Sequence, residues 1–255
     1  MTETASGVLD GWVKDTFTAA GFTRETYRRG QGPAVIVVHE IPGITPAVTA
    51  FANDVVDAGF TVVMPSLVGT PGQQFSNGYM VKSMMKVCVS KEFTNWALNQ
   101  TSPIIAWLRA LARSLHNELG GPGVGAIGMC FSGGFALGMM VDDIMVAPVL
   151  SQPSMPFAAG GKERGANLSL SPDDAMVVAQ RAAAGCQVLG LRFTGDALVG
   201  TRFDSLRELL GDAFIAIELA SATKRDHSVL TEQRDEASVQ RVITFLQDKL
   251  LAPAG

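Results

Sequence analysis

The sequence predicts an α/β protein: a mainly parallel central sheet with helices on both faces. Three observations carry that reading. From about residue 33 onward, short β-rich apolar runs alternate with helix-period patterns. The first of these runs, Ala34-Val35-Ile36-Val37-Val38, is unbroken, as strands buried on both faces of a parallel sheet are. The chain has 255 residues, 47% hydrophobic and 17% charged, with an even mixture that favours one large domain over two small ones. It contains no repeat or low-complexity tract.

Residues 1–30 are read as an N-terminal extension with a first strand, ahead of the run at 34–38. Val48, Phe51, Ala52, Val55 and Val56 then share one face of a helix, the i, i+3, i+4, i+7, i+8 pattern. Gly59 ends it, and Phe60-Thr61-Val62-Val63-Met64 is the next strand, stopped by Pro65. Residues 66–100 are less regular. A Gly/Pro-containing loop leads into Met80, Met84, Met85, Phe93 and Trp96, which suit either an adaptable lid or pocket lining or plain core packing. A second amphipathic helix buries Ile104, Ile105, Leu108, Leu111, Ala112 and Leu115, and Gly120-Gly121-Pro122-Gly123 breaks it before a strand at 124–127. Later strands fall at 144–149, 188–193 and 214–217, with helices near 173–184, 202–210 and 236–250.

Composition narrows the function. Twenty Lys+Arg against 24 Asp+Glu give a net charge of −4 with no basic run, so binding to nucleic-acid phosphates is not expected. Cys88, Cys130 and Cys186 are odd in number and widely spaced, forming neither a disulfide framework nor a metal knuckle. No metal and no other cofactor is expected. No apolar run approaches the ~18–20 residues that span a bilayer. The start of the chain lacks a basic segment followed by an apolar one, so a cytoplasmic location without a signal peptide is expected. Oligomeric state is not legible.

The most informative segment is Gly128-Met129-Cys130-Phe131-Ser132-Gly133-Gly134. An apolar strand runs into Gly-x-Cys-x-Ser and a small-residue helix start, the pattern of a nucleophile elbow with cysteine where serine usually stands. Small flanking residues are needed because the chain reverses from strand to helix within one turn. The elbow also aims the sulfur at a helix start, where a thiolate is favoured. Two rivals stand beside this reading. Cys130 could be a buried core cysteine, and Ser132 could be the nucleophile, although it lies two residues further into the helix.

In sheets of this kind chemistry sits at the carboxyl ends of strands, and hydrolases built on an elbow run nucleophile, acid, base in chain order. Of the three histidines, His39 lies upstream of the nucleophile and His116 ends a helix as a solvated residue. His227, in the polar loop Lys224-Arg225-Asp226-His227-Ser228, alone satisfies the order. Asp196 follows a strand through Thr194-Gly195 and suits the acid that orients the imidazole, with Asp204 as the fallback. At the end of the first long strand, His39-Glu40-Ile41-Pro42-Gly43 offers the backbone N–H of Ile41. Paired with the N–H of Phe131, it would form an oxyanion hole. Glu40 is a carboxylate near that hole, or a surface turn acid.

Together these segments resemble the dienelactone hydrolase family of α/β-hydrolases, in order and spacing, over about residues 30–250. His39-Glu40-Ile41-Pro42-Gly43 is similar to the family's Glu-bearing first turn, Gly128-Met129-Cys130-Phe131 to its cysteine elbow, Asp196 to its acid and His227-Ser228 to its histidine motif. The resemblance implies an α/β-hydrolase fold and a Cys130-His227-Asp196 triad that cleaves small esters or lactones through an acyl-enzyme. It also implies that Glu40 helps convert Cys130 to thiolate when substrate binds. The chain departs from the family pattern in three places. Ser132 precedes Gly133-Gly134, the acid motif is compressed to Gly195-Asp196, and His227-Ser228-Val229-Leu230-Thr231 has no arginine to hold a substrate carboxylate. Neutral lactones or esters are therefore expected ahead of carboxylated ones, with Lys82, Lys86 and Lys91 as the candidate replacement cations. A serine esterase and a non-catalytic binding member of the same fold are the alternatives.

Overall fold

The structure, a computed structural model, describes residues 7–89, 93, 100–154, 162–223 and 225–251, with the backbone alone at 88, 89 and 162. Eight strands are joined in one sheet. A hairpin of β1 (Val13–Ala19) and β2 (Phe22–Arg29) turns at Ala20-Gly21, both with positive φ, the backbone that a two-residue hairpin needs. It pairs antiparallel through β2 with β4 (Thr61–Pro65). From there the sheet is parallel: β3 (Ala34–Val38) beside β4 and β5 (Val124–Met129), then β6 (Met145–Ser151), β7 (Val188–Phe193) and β8 (Phe214–Leu219).

Period two along the central strands divides the core into two layers. Ile36 and Val38 of β3 and Ala126 of β5 face one side; Val35, Val37 and Ile127 face the other. The first side is covered by α3 (Pro103–Leu119), α4 (Gly133–Met139), α6 (Pro172–Ala183) and α7 (Arg202–Leu210). The second is covered by α1 (Pro46–Asp57) and α8 (Glu236–Leu250). Thr45 caps α1, Ser171 caps α6 and Asp235 caps α8, each through its side chain. Trp107 of α3 is fully buried. Its ring meets Phe17 edge-on with centroids 5.5 Å apart, and its Nε1–H donates to the Phe17 carbonyl at 3.2 Å. Burial of one such side chain contributes about 1.5–3 kcal/mol; here it fastens the β1–β2 hairpin to the body.

Most expected elements are present with boundaries moved by a few residues. The exceptions lie in the hairpin, in α2 (Asn77–Val89), which organises 13 residues of the irregular 66–100 stretch, and in the short α5 (Lys162–Ala166). Lys91 and Trp96 lie outside the described residues. His116, expected to be solvated, is half-buried on α3 with its Nδ1 out of contact with water.

Candidate active site

The loops that follow β3, β5, β6, β7 and β8 converge at the carboxyl edge of the sheet, where α/β sheets place their ligands. The sharpest turn follows β5. Cys130 takes φ +55°, left-handed backbone that a side-chain-bearing residue adopts only when its surroundings enforce it. One 3₁₀ turn, Cys130–Ser132, then feeds α4. A Cβ on Gly128 would sit 2.1 Å from the Ser132 carbonyl oxygen, and one on Gly133 would sit 2.6 Å from Cα of Pro153. Glycine is required on both sides of the turn because backbone already occupies the space.

Ser132 is fully buried. Its Oγ accepts from Met129 N–H at 2.9 Å, and its O–H is directed at the carbonyls of Val38, His39 and Met129 at 2.9–3.1 Å. That hydroxyl clamps β5 to the end of β3. Cys130, by contrast, is half-buried and lines a cavity of about 350 Å³ together with Ile41, Met80, Met84, Arg225 and His227.

Asp196, after β7, is buried and His227, after β8, nearly so. Nδ1 of His227 donates to Asp196 Oδ2 at 2.6 Å, since a carboxylate can only accept. The other carboxylate oxygen takes the Leu198 N–H at 2.9 Å, which fixes the acid's rotation. Nε2 of His227 is shielded from solvent, and the Cys130 sulfur acts on the ring. Burial works against the imidazolium, but the charges of Cys130 and Asp196 and the bond to Asp196 outweigh it. Together they push His227 up from 6.5 to about 11.

Glu40 is also buried, and its partners differ from those of Asp196. It accepts from Ser228 Oγ at 2.7 Å, from Gln152 Nε2 at 3.1 Å and from the Thr231 hydroxyl. These bonds tie the loops after β3, β6 and β8 together. The hydrogen bond to the Cys130 sulfur comes instead from Ser154, after β6, whose Oγ donates to Sγ at 3.1 Å. His39 is a strut: its Nδ1 donates to the Glu40 carbonyl at 2.8 Å, and its Nε2 accepts from the N–H of Leu67 at 3.0 Å. Full burial lowers it to about 4, so it is neutral.

Sequence reasoning brought Cys130, Asp196 and His227 to one place and Glu40 and Ile41 to its edge. It missed Ser154 and Arg202. The Arg202 side chain is buried against the carbonyls of Arg164, Asn167, Leu198 and Val199, and burial lowers it to about 10, still cationic. It also missed the cation of the cavity: exposed Arg225, two residues before His227, lines it, whereas Lys82 and Lys86 are exposed on α2 and do not. Among the described residues no cluster of three or more His, Cys, Asp or Glu could hold a metal, and no helix is long and apolar enough to cross a membrane.

Fold and elbow together define an α/β-hydrolase. Within that class, the dienelactone hydrolase family profile matches residues 19–152, just over half of the chain, and the chain belongs to that family. A Synechocystis protein assigned as a carboxymethylenebutenolidase is 28% identical over 116 residues, 45% of this chain and 45% of that protein, so the match spans under half of the relative's length. Among solved structures, a Klebsiella pneumoniae protein assigned as a dienelactone hydrolase superposes with a TM-score of 0.61, at 16% identity over 93% of this chain and 97% of that one. An esterase from Pyrococcus furiosus gives 0.60, at 12% identity over 98% and 96%. A lidless serine hydrolase from Xanthomonas campestris gives 0.58, at 13% identity over 96% and 97%. At these identities the structural likenesses establish the fold.

Proposed function

We propose that this protein is a cysteine hydrolase of small esters or lactones, working through Cys130, His227 and Asp196. The observation that carries the reading is the 2.6 Å His227–Asp196 bond, with His227 lining the same cavity as a cysteine on a strained elbow. A nucleophile, a base and the group that orients the base are then in sequence.

In the proposed cycle the Cys130 thiolate attacks the carbonyl carbon. The new S–C bond drives the π electrons onto oxygen, and the N–H groups of Ile41 and Phe131 receive that oxyanion. Collapse expels the alkoxide, which takes the proton from His227 Nε2 and leaves as alcohol. The neutral imidazole next removes a proton from water, and the hydroxide adds to the thioester carbonyl. Expulsion of the thiolate releases the acid, and His227 is again imidazolium. Asp196 keeps its bond to Nδ1 throughout and so holds Nε2 toward the reacting atoms.

The bonds made by Ser132 argue against a serine enzyme, because freeing its Oγ would strand the Met129 N–H and unclamp the elbow. The test is turnover of a p-nitrophenyl ester by Cys130→Ala and Ser132→Ala. The first should lose at least a hundredfold, since nucleophile loss removes several decades of rate. Cys130→Ser should keep part of the activity. If Cys130→Ala stays above about a hundredth of the parent rate, the nucleophile is elsewhere.

A further inference from the structure

The Cys130 sulfur is gripped by a residue that the triad does not include. Ser154, on the loop after β6, donates its backbone N–H to the Cys130 carbonyl at 3.0 Å and its hydroxyl to Sγ at 3.1 Å. Ser154 is buried, and it borders both the cavity containing His227 and a narrow apolar one lined by Phe131, Phe135 and Leu150. The carboxylate nearest in the fold, Glu40, is engaged with Ser228, Gln152 and Thr231.

We propose that Ser154 is a catalytic residue of this site: its hydroxyl donates to the Cys130 sulfur, favours the thiolate form and releases it to the substrate carbonyl. The proposal rests on Cys130 being the nucleophile. A hydroxyl that donates to a charged sulfur stabilises the charged form. When the sulfur lone pair becomes the S–C bond, the acceptor weakens and the hydroxyl lets go. Its own proton stays on Oγ, and no proton transfer is involved.

The charged groups around the sulfur carry both signs. His227 and Asp196 form the dyad. Buried Arg202 on α7 adds a positive charge, and Arg225 and Glu232, of opposite sign, both line the cavity. Glu40 lies behind Ser228.

Holding a thiolate has a kinetic signature. A donor that favours the thiolate raises its population at low pH but lowers its intrinsic nucleophilicity, with a Brønsted slope of about 0.4–0.5. Removing a hydrogen bond that shifts the thiol–thiolate balance about tenfold should therefore slow the reaction about three- to fourfold on the acid side of the profile. On the alkaline side, where the sulfur is fully ionised, the same change should speed it about threefold. The two profiles cross.

The experiment is alkylation by iodoacetamide across pH, read by mass at the Cys130 peptide, for the parent, Ser154→Ala and Ser154→Thr. Ser154→Ala keeps the backbone bond and removes only the hydroxyl. The expected result is the crossing, with Ser154→Thr restoring the parent profile. A uniform loss at every pH would make Ser154 a packing residue, and an unchanged profile would remove it from the chemistry. Either outcome overturns the proposal. Alkylation needs no ester turnover, so these outcomes stand apart from a failure of the hydrolase reading, which would appear as ester turnover by Cys130→Ala.

Discussion

Two histidine–carboxylate regions meet at the same edge of the sheet and do opposite things. After β3, His39 is fully buried beside Glu40, and it is lowered to about 4. After β8, His227 is nearly as buried beside Asp196, and it is raised to about 11. Burial disfavours the imidazolium in both, so burial does not decide the outcome. The partners do. His39 contacts backbone, a carbonyl on Nδ1 and amide N–H groups on Nε2, which fixes a neutral ring. His227 contacts a carboxylate and faces a sulfur, both of which favour charge. One region holds the turn in place, and the other holds a proton.

The largest effects should separate the two by kind. Asp196→Asn should lower kcat by about four decades, because the amide favours the wrong tautomer of His227. His227→Ala should be at least as severe, and His116→Ala should be silent in turnover. His39→Ala should instead remove the acceptor for the Leu67 and Val68 N–H groups, destabilising the fold by about 1–3 kcal/mol while folded protein still turns over. Steady-state kinetics paired with denaturant midpoints check all four. An enzyme that tolerates Asp196→Asn but not His39→Ala per folded molecule would reverse the assignment.

The sequence made one region far more legible than the other. Cys130, Asp196 and His227 follow from chain order, because each sits just past a strand whose apolar run is visible. The Ala20-Gly21 turn hid the first hairpin: β1 is largely exposed, and Ala20 occupies a left-handed position where Asn is the usual signal. The helix α2 was obscured because Val81 and Met85 point to water and blur its stripe. Ser154 could not be found from its own segment, since its contact with Cys130 depends on β5 and β6 being neighbours in the sheet. The role assigned to Glu40 came from resemblance, and its partners, Gln152, Ser228 and Thr231, come from loops scattered along the chain.

The pH dependence of stability should sharpen the comparison next. His39 titrates near 4 when folded and near 6.5 when unfolded. The unfolded chain therefore binds the extra proton first, and stability is lost as pH falls from 6.5 through 4. The full difference is about 3 kcal/mol. His227 works the other way, so its contribution is complete below 6.5 and is lost as pH rises toward 11. Urea midpoints of the parent and His39→Gln at pH 7 and 4.5 isolate the first arm. The parent should lose more stability than the variant, and equal losses would mean that His39 is not the acid-sensitive group.

Glu40 tests whether the first region touches the chemistry at all. Glu40→Gln replaces an acceptor that serves three donors, turning an amide N–H₂ toward a group that already donates. The loss should be about 1–3 kcal/mol of stability, with the alkylation profile of Cys130 unchanged. If the midpoint of that profile moves while stability does not, Glu40 belongs to the sulfur's region rather than to the strut.

The smallest effect concerns charge at the mouth of the cavity. Arg225 lies two residues before His227 and is exposed, with no side-chain partner among the described residues. A substrate carboxylate could reach it, but an exposed pair contributes only about 0.2–1 kcal/mol, at most about fivefold in affinity at 1.4 kcal/mol per decade. Glu232, which lines the same cavity, would offset part of that for any substrate that passes close to both. A neutral lactone and its carboxylated analogue should therefore differ by less than about fivefold in kcat/KM. Salt should shrink whatever preference exists, because contacts between exposed charges are screened over about 10 Å at 0.1 M. Arg225→Gln should remove the salt dependence without touching turnover of the neutral lactone. A carboxylate preference above tenfold that survives high salt would instead require a desolvated cation, and Arg202, buried beside Asp196 and Cys130, would be the residue to substitute next.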